Sequence, residues 1–119
     1  MLNKKYRLTK NGSFSYLYSK GAKVSAKRIK FSYAPLKSGI KIGFSVNNKI
    51  GKAVVRNLVK RRMRAITAEF LDKLKPCQAV FIAYKGIDEL DFTTLREQME
   101  HCFVRAGLIK ANGEENKQN

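Results

Sequence analysis

Few residues of this chain could carry out bond-breaking chemistry by themselves. Hydrolysis assisted by a protein needs a cluster of metal-binding carboxylates or a paired acid and base. The acidic cluster Asp88, Glu89 and Asp91 precedes a helical pattern, so Asp91 is better explained as a helix cap and its neighbours as favourable charges near the positive helix end. His101 has no partner at metal-ligand spacing. We therefore predict no catalytic residue and no metal site in the protein itself.

Positive charge is the chemical feature that the chain supplies in quantity. The first 68 of its 119 residues contain 18 lysines and arginines and no aspartate or glutamate, and the net charge is +16. From Glu69 onward, seven basic residues against nine acidic residues leave a charge of −2. Each phosphate neutralised by a lysine or arginine releases condensed counterions, so a polyanion is the simplest partner. Its binding surface should lie before Glu69.

A long helical pattern, from about Ala53 to Leu74, sorts these charges onto one face. At about 100° per residue, apolar and polar residues separate into two arcs. The apolar stripe consists of Val55, Val59, Met63, Ile66 and Phe70. The basic arc consists of Arg56, Asn57, Lys60, Arg61 and Arg64, with Lys49 and Lys52 in the preceding loop. A solvated face is the alternative, but solvated faces usually interleave both signs of charge, which favours polyanion binding here.

Aromatic residues earlier in the chain predict a second surface. Single-stranded RNA is commonly bound where rings stack on bases beside a positively charged groove. The rings are Phe14 and Tyr18 in a first helical pattern, with Tyr33 or Phe31 in the strand that follows. The nearby charges are Lys27, Arg28 and Lys30. The alternative is that Phe14, Phe31 and Tyr33 fill the core, whereas the polar tips of Tyr16 and Tyr18 favour partial exposure.

The first half of the chain predicts a helix and two extended regions that position these rings. Thr9 as an N-cap and Gly21 as a left-handed C-terminal residue bound the helix, in which Phe14, Leu17 and Tyr18 share one face. Residues 23–33 are extended, a turn follows at Pro35 to Gly39, and residues 40–46 alternate as a half-buried strand. We interpret the two extended regions as an antiparallel hairpin.

The second half adds the long helix, a strand and a last helix. The apolar run at 77–84 predicts a central strand, and residues from about 93 to 106 predict a helix ended by Gly107. The core stripe of that helix is Leu95, Met99, Cys102, Phe103 and Ala106. The element order α-β-β-(β)-α-β-α predicts one α+β domain over residues 1–109, with helices packed on one sheet. The polar residues 110–119 are predicted to be a disordered tail.

Size and composition favour a folded cytoplasmic protein. The 12 phenylalanines and tyrosines and the 44% hydrophobic content indicate a globule rather than a basic disordered arm. Cys77 and Cys102 lack metal or redox spacing, which favours reduced thiols in or near the core. The first ten residues lack the apolar run of a signal peptide, and no apolar stretch approaches the roughly 20 residues of a membrane span.

The sequence that leads into the long helix resembles the bacterial ribonuclease P protein component. The resemblance rests on KIGFSV at 41–46 and NNKIGKAVVRNLVKR at 47–61, which are similar to that family's strand-to-helix signature. It extends over nearly the whole chain, through YRLTKNGSF at 6–14, Lys20-Gly21 and AYK at 83–85. The resemblance implies a small α+β fold like the second domain of a ribosomal small-subunit protein, with a left-handed βαβ crossover.

The resemblance also implies a function. It implies the protein subunit of a ribozyme that removes 5′ leaders from precursor tRNA, in which the RNA subunit performs the hydrolysis with Mg²⁺. The protein would bind that catalytic RNA through the basic helix, most simply one to one. It would bind the leader in a cleft between the first helix and the sheet, which the resemblance assigns to Phe14, Tyr18, Lys27, Arg28, Lys30 and Tyr33. A shifted local alignment would put Ser32 in the place of Tyr33.

The chain departs from the family pattern beside its central motif. Leu58 replaces the second arginine of the usual Arg-Asn-Arg, and Asn48 replaces a lysine of the usual Ser-Lys-Lys. Arg62 lies one turn after Leu58 on the same flank of the helix, so we predict that it takes over the lost contact with the catalytic RNA.

Two other functions remain alternatives at this stage. A structural RNA-binding protein of the ribosome, or an RNA chaperone with a related fold, would bind RNA without promoting its cleavage. A protein-only nuclease is disfavoured because the chain lacks a suitable carboxylate cluster.

Overall fold

The computed structural model describes residues 4–9 and 11–109 and shows one four-stranded sheet with three α-helices. The elements are α1 (Asn11–Lys20), β1 (Ala22–Ala26), β2 (Ile29–Pro35), β3 (Ile40–Ser45), α2 (Ala53–Phe70), β4 (Cys77–Ala83) and α3 (Phe92–Arg105). This order confirms the predicted α+β class, including the additional strand. The predicted tail at 110–119 lies outside the described residues. None of the described helices has the length and apolar content needed to cross a bilayer.

The strand order in the sheet is β1-β2-β4-β3. Strands β1 and β2 form a hairpin through Lys27 and Arg28, β4 pairs antiparallel with β2, and β3 pairs parallel with β4. The expected hairpin between residues 23–33 and 40–46 is therefore wrong, because the hairpin lies within the first of these regions. The apolar β4 takes the centre, where neighbouring strands cover both of its edges and helices cover its faces.

One face of the sheet packs against α2 and α3 around a cluster of aromatic rings. Phe81 lies 4.5 Å from Phe31 and 5.4 Å from Phe103, measured between ring centroids. The predicted apolar stripe of α2 contributes to this core: Val59, Met63, Ile66 and Phe70 are buried and Val55 is half-buried. Thr67 is also buried, because its hydroxyl donates a 2.9 Å hydrogen bond to the Met63 carbonyl. The predicted stripe of α3 is likewise confirmed, with only Ala106 half-buried.

The ends of α2 and α3 follow from their local sequence. Helix α2 ends at Phe70 and passes into a short 3-10 turn (Leu71–Lys73), slightly before the predicted end. The Asp91 carboxylate accepts a 2.7 Å hydrogen bond from the Thr94 backbone N–H, which confirms it as the cap of α3. That bond also lowers the pKa of the Asp91 carboxyl below its ordinary value. Gly107 has a φ of 75°, as expected for a residue that ends a helix.

Both cysteines are free thiols in the core, as predicted. Burial raises the pKa of Cys77 to about 11 and that of Cys102 to about 12, since desolvation disfavours the thiolate. The thiols are therefore protonated at neutral pH and serve as small apolar groups.

Helix α1 packs on the opposite face of the sheet. Leu17 is buried with Leu8, Ala34 and Val80, and its carbonyl accepts a 2.5 Å hydrogen bond from the Ser32 hydroxyl. Gly21 ends the helix without the predicted left-handed conformation. It is glycine because a Cβ atom there would lie 2.5 Å from Ser32 Oγ. The helix begins at Asn11, and Lys10 lies outside the described residues, so the predicted cap at Thr9 is not observed.

Candidate RNA-binding surfaces

The basic arc of α2 forms a continuous positively charged face. Lys60 and Arg64 are half-buried, and Asn57 and Arg61 are exposed. In the part of the chain that the structure describes, no cation of α2 lies within ion-pair distance of a carboxylate. Like charges four residues apart destabilise an isolated helix, so this face is stabilised when it meets an anion. The structure therefore brings these four residues together as predicted.

Arg56 has a second role at the start of α2. Its Nη1 donates a 2.9 Å hydrogen bond to the Gly51 carbonyl and so ties the preceding loop to the first helical turn. Lys49 and Lys52 are exposed in that loop, and Lys52 occupies the N-cap position without a side-chain cap. Asn47, rather than a lysine, orders the loop, because its side chain accepts a 2.9 Å hydrogen bond from the Lys49 backbone N–H. The sequence gave no signal for the Arg56 contact.

Lys60 and Arg64 also reach the edge of the sheet. They line a cavity of about 240 Å³ with Arg7, Phe14 and the part of β3 around Gly43. This cavity lies between the basic face of α2 and the α1 face of the sheet. The two predicted surfaces are therefore neighbours in the folded molecule.

Leu58 and Arg62 lie on a different flank of α2. Both are half-buried. Arg62 precedes Glu69 by two helical turns, and Glu69 forms a 2.7 Å ion pair with Arg96 of α3. Arg62 thus follows the column of α2 that approaches α3, about 100° around the helix from Arg61. Whether a bound RNA reaches this flank decides the predicted compensation for Leu58.

We expect Arg62→Ala to lower affinity for the cognate catalytic RNA about 5-fold to 8-fold at about 0.1 M monovalent salt, the effect of one lost phosphate contact. Leu58→Arg should raise the affinity by a similar factor. Filter binding over a salt series measures both effects, with the exposed Lys73→Ala as the control. Unchanged affinity in Arg62→Ala would show that nothing compensates for Leu58.

The leader cleft, as we name it, lies between α1 and the open part of the sheet. Its wall is Phe14 and Tyr18, whose ring centroids lie 6.3 Å apart. Its floor is one row across the four strands, Ser25, Lys30, Ile82 and Ser45. Phe14 packs directly on Gly43, where a Cβ atom would lie 2.6 Å from Phe14 Cζ. Phe14 is half-buried and Tyr18 is 43% exposed, so both predicted readings of Phe14 apply in part.

The structure does not bring Tyr33 together with Phe14 and Tyr18. Side chains alternate along β2, so Phe31 and Tyr33 face α2 and α3, with their ring centroids 5.5 Å apart. Ser32 faces α1 instead, and its hydroxyl is bound to the Leu17 carbonyl. The alternation of Ile29, Phe31 and Tyr33 with Lys30 and Ser32 could have indicated this from the sequence.

The three predicted basic residues of the cleft lie at one end of it. Lys30 is half-buried in the floor, whereas Lys27 and Arg28 are exposed in the β1–β2 turn. The Lys27 backbone N–H donates a 2.9 Å hydrogen bond to Gln98 Oε1 of α3. Arg28 adopts a φ of 64°, and its guanidinium packs on Gly86. Charge and aromatic rings therefore adjoin along the cleft, as single-stranded RNA requires.

The described residues offer binding groups rather than reactive ones. Within residues 4–9 and 11–109, no group of three His, Cys, Asp or Glu side chains is placed to hold a metal ion. Asp88 and Glu89 lie in a 3-10 turn (Ile87–Glu89), and Asp91 is engaged as a helix cap. The arrangement can neutralise phosphates on α2 and stack bases along α1.

Known proteins share this sequence and fold. The family model for ribonuclease P matches residues 2–107. The ribonuclease P protein component of Streptococcus agalactiae serotype Ia is 33% identical over 109 residues, covering 91% of this chain and 100% of that protein. The component from Bacillus velezensis is 32% identical over 111 residues, covering 92% and 96%.

Solved structures agree. The Staphylococcus aureus RNase P protein superposes with a TM-score of 0.83 at 26% identity, covering 90% of this chain and 100% of that one. The Thermotoga maritima RNase P protein gives a TM-score of 0.75 at 26% identity, covering 83% and 96%. The match of the family model across nearly the whole chain, together with these relatives, shows that the protein belongs to the ribonuclease P protein family.

Proposed function

We propose that this chain is the protein subunit of ribonuclease P. It binds the catalytic RNA and the 5′ leader of precursor tRNA, and it aids the endonucleolytic removal of that leader to give the mature tRNA 5′ end. The observation that carries the proposal is the acid-free face of α2 lying beside an aromatic cleft on the other side of the sheet. Two RNA strands can therefore be held by one small domain.

The catalytic RNA is assigned to the α2 face. Lys60, Arg61 and Arg64 neutralise its phosphates, and Lys49 and Lys52 extend the positive surface to the start of the helix. Arg56 contributes while holding the loop to the helix. The domain, bound as one copy in the cytoplasm, reduces the repulsion between the catalytic RNA and its substrate.

The chemistry is assigned to the RNA subunit. The described residues do not fit a metal site, so Mg²⁺ would be held by RNA phosphates and supply the activation of water there. The protein then contributes by positioning. Its effect should be largest at low Mg²⁺ and should weaken steeply as monovalent salt rises.

Reconstitution tests the proposal. The full chain is mixed with the cognate catalytic RNA and a leader-bearing precursor tRNA at low Mg²⁺, and cleavage at the mature 5′ end is measured. Stimulated cleavage supports the proposal. Binding without stimulation would indicate a structural RNA-binding protein or chaperone instead. Cleavage without the RNA subunit would assign the chemistry to the protein.

A pair of variants separates the two surfaces. Tyr18→Ala should weaken binding of the precursor by the assembled enzyme about 5-fold, because base stacking on one exposed ring is lost. It should leave assembly with the catalytic RNA unchanged. Arg61→Ala, at an exposed position on α2, should do the reverse. Affinities for the two RNAs, measured separately, check this, and equal effects of both variants on both RNAs would contradict the assignment of two surfaces.

A further inference from the structure

Tyr84 is a large exposed ring that the assigned surfaces leave unused. Its side chain is 45% exposed immediately after β4, close to the exposures of Tyr16 (48%) and Tyr18 (43%). Its backbone N–H donates a 2.9 Å hydrogen bond to the Arg28 carbonyl, so the pairing of β4 with β2 continues through this residue. Tyr84 is therefore held by a rigid strand end rather than by a free loop.

The alternation along β4 places Tyr84 on the α1 face of the sheet. Ala79, Phe81 and Ala83 belong to the core with α2 and α3, so Val80, Ile82 and Tyr84 face the other way. Val80 lies beneath α1, and Tyr84 lies about 13 Å further along the strand. The floor of the leader cleft at Ile82 lies between them. Tyr84 thus forms the rim opposite the wall of Phe14 and Tyr18.

Positive charge adjoins this rim. Arg28 is paired with Tyr84 across the strands, and Lys30 is paired with Ile82. The Arg28 guanidinium packs on Gly86, with its Nη1 3.5 Å from the Lys85 carbonyl oxygen. An exposed ring with cations beside it is the arrangement that binds single-stranded RNA without base selectivity.

Strand β2 leaves the sheet floor without a ring. Its residues on the α1 face are Lys30, Ser32 and Ala34. On β1 and β3 the same face carries Lys23, Ser25, Lys41, Gly43 and Ser45. Among the described residues of the sheet and its strand ends, Tyr84 is therefore the aromatic side chain on this face.

We infer that Tyr84 is a second stacking site for the precursor leader, opposite Phe14 and Tyr18, and that Arg28 and Lys30 neutralise the phosphates between the two rims. The inference rests on the proposed function and adds a residue to its substrate site. A strand bound across the row of Lys30 and Ile82 contacts rings on both sides. Its contacts with Tyr84 involve leader nucleotides different from those that stack on Tyr18.

The test uses the enzyme assembled from the full chain and its cognate RNA. Tyr84→Ala should lower affinity for a precursor with a leader of about ten nucleotides by about 5-fold to 10-fold, and Tyr84→Phe should retain wild-type affinity. Tyr16→Ala is the matched control, because Tyr16 is equally exposed but lies on the opposite side of α1 from Phe14 and Tyr18. Mature tRNA without a leader should bind all four enzymes equally.

Three outcomes would overturn the inference. Tyr84→Ala could match wild type while Tyr18→Ala weakens leader binding, which would confine stacking to α1. Tyr84→Ala could weaken leaderless tRNA equally, which would assign the ring to the tRNA body. The wild-type enzyme could bind both substrates with one affinity, which would overturn the leader role in the proposed function as well.

Discussion

Replacing Lys60 and Arg64 together by alanine is expected to weaken binding of the catalytic RNA about 25-fold to 60-fold at about 0.1 M monovalent salt. Each phosphate contact contributes about 0.7 to 0.9 to the slope of log affinity against log salt, so two contacts set this range. Both residues lie on the central column of the basic face, and no carboxylate of the described chain pairs with them. Their charge is therefore fully available to RNA.

Electrophoretic or filter binding over a salt series measures this effect. The double variant should show a slope smaller by about 1.4 to 1.8 than the wild-type chain. Thermal unfolding should be unchanged or slightly improved, because the variant removes a repulsive pair four residues apart. Reduced binding would then reflect a lost contact rather than a lost fold.

The control is the double replacement of Lys73 and Lys75 by alanine. Both are exposed, and both lie beyond the acid-free segment. The same net charge is removed in the two double variants. If both weaken RNA binding equally, the total charge of the protein, rather than the face of α2, determines assembly.

Phe81→Ala is expected to lower the free energy of unfolding by about 3–5 kcal/mol, the cost of emptying a large buried aromatic site. Phe81 has no exposed surface and contacts the rings of Phe31, Phe44 and Phe103. It lies at the centre of β4, where strands pair on both edges. The cavity is difficult to close because neither the sheet nor the facing helices can move independently.

Chemical denaturation followed by circular dichroism measures the loss. A domain of this length has a total stability of about 6–18 kcal/mol, so the variant loses a large fraction of it. Phe92→Ala provides the control, since Phe92 is 41% exposed and its loss should change stability by less than about 0.5 kcal/mol. A Phe81→Ala protein as stable as Phe92→Ala would show that the ring cluster does not hold the two layers together.

Much of the fold could be predicted because its signals are local. The spacing of Val59, Met63, Ile66 and Phe70 identified the buried side of α2, and the apolar run of β4 identified a central strand. Asp91 as a cap followed from its place before a helical pattern. Thr67 was missed as a core residue, because its hydroxyl is satisfied by the helix itself and so costs little to bury.

The binding residues were predictable to different degrees. The basic arc of α2 depends only on helical periodicity, so the structure reproduced it. The cleft depends on which face of β2 meets α1, and there Tyr33 was placed with the wrong partners. The contact of Arg56 with Gly51 and the position of Tyr84 on the cleft rim involve backbone geometry that no pattern of residue types displays.

The sequence by itself determined the charge, the segments and the chemistry of the surfaces. An acid-free basic segment, a helix with one apolar stripe and the exposed aromatics are properties of residues close together in the chain. Tertiary structure alone decided that β4 separates β2 from β3, that Ser32 rather than Tyr33 faces α1, and that Lys60 and Arg64 border the cavity beside Phe14. These outcomes depend on pairing between distant segments, where closing long loops is offset only by burial in the complete fold.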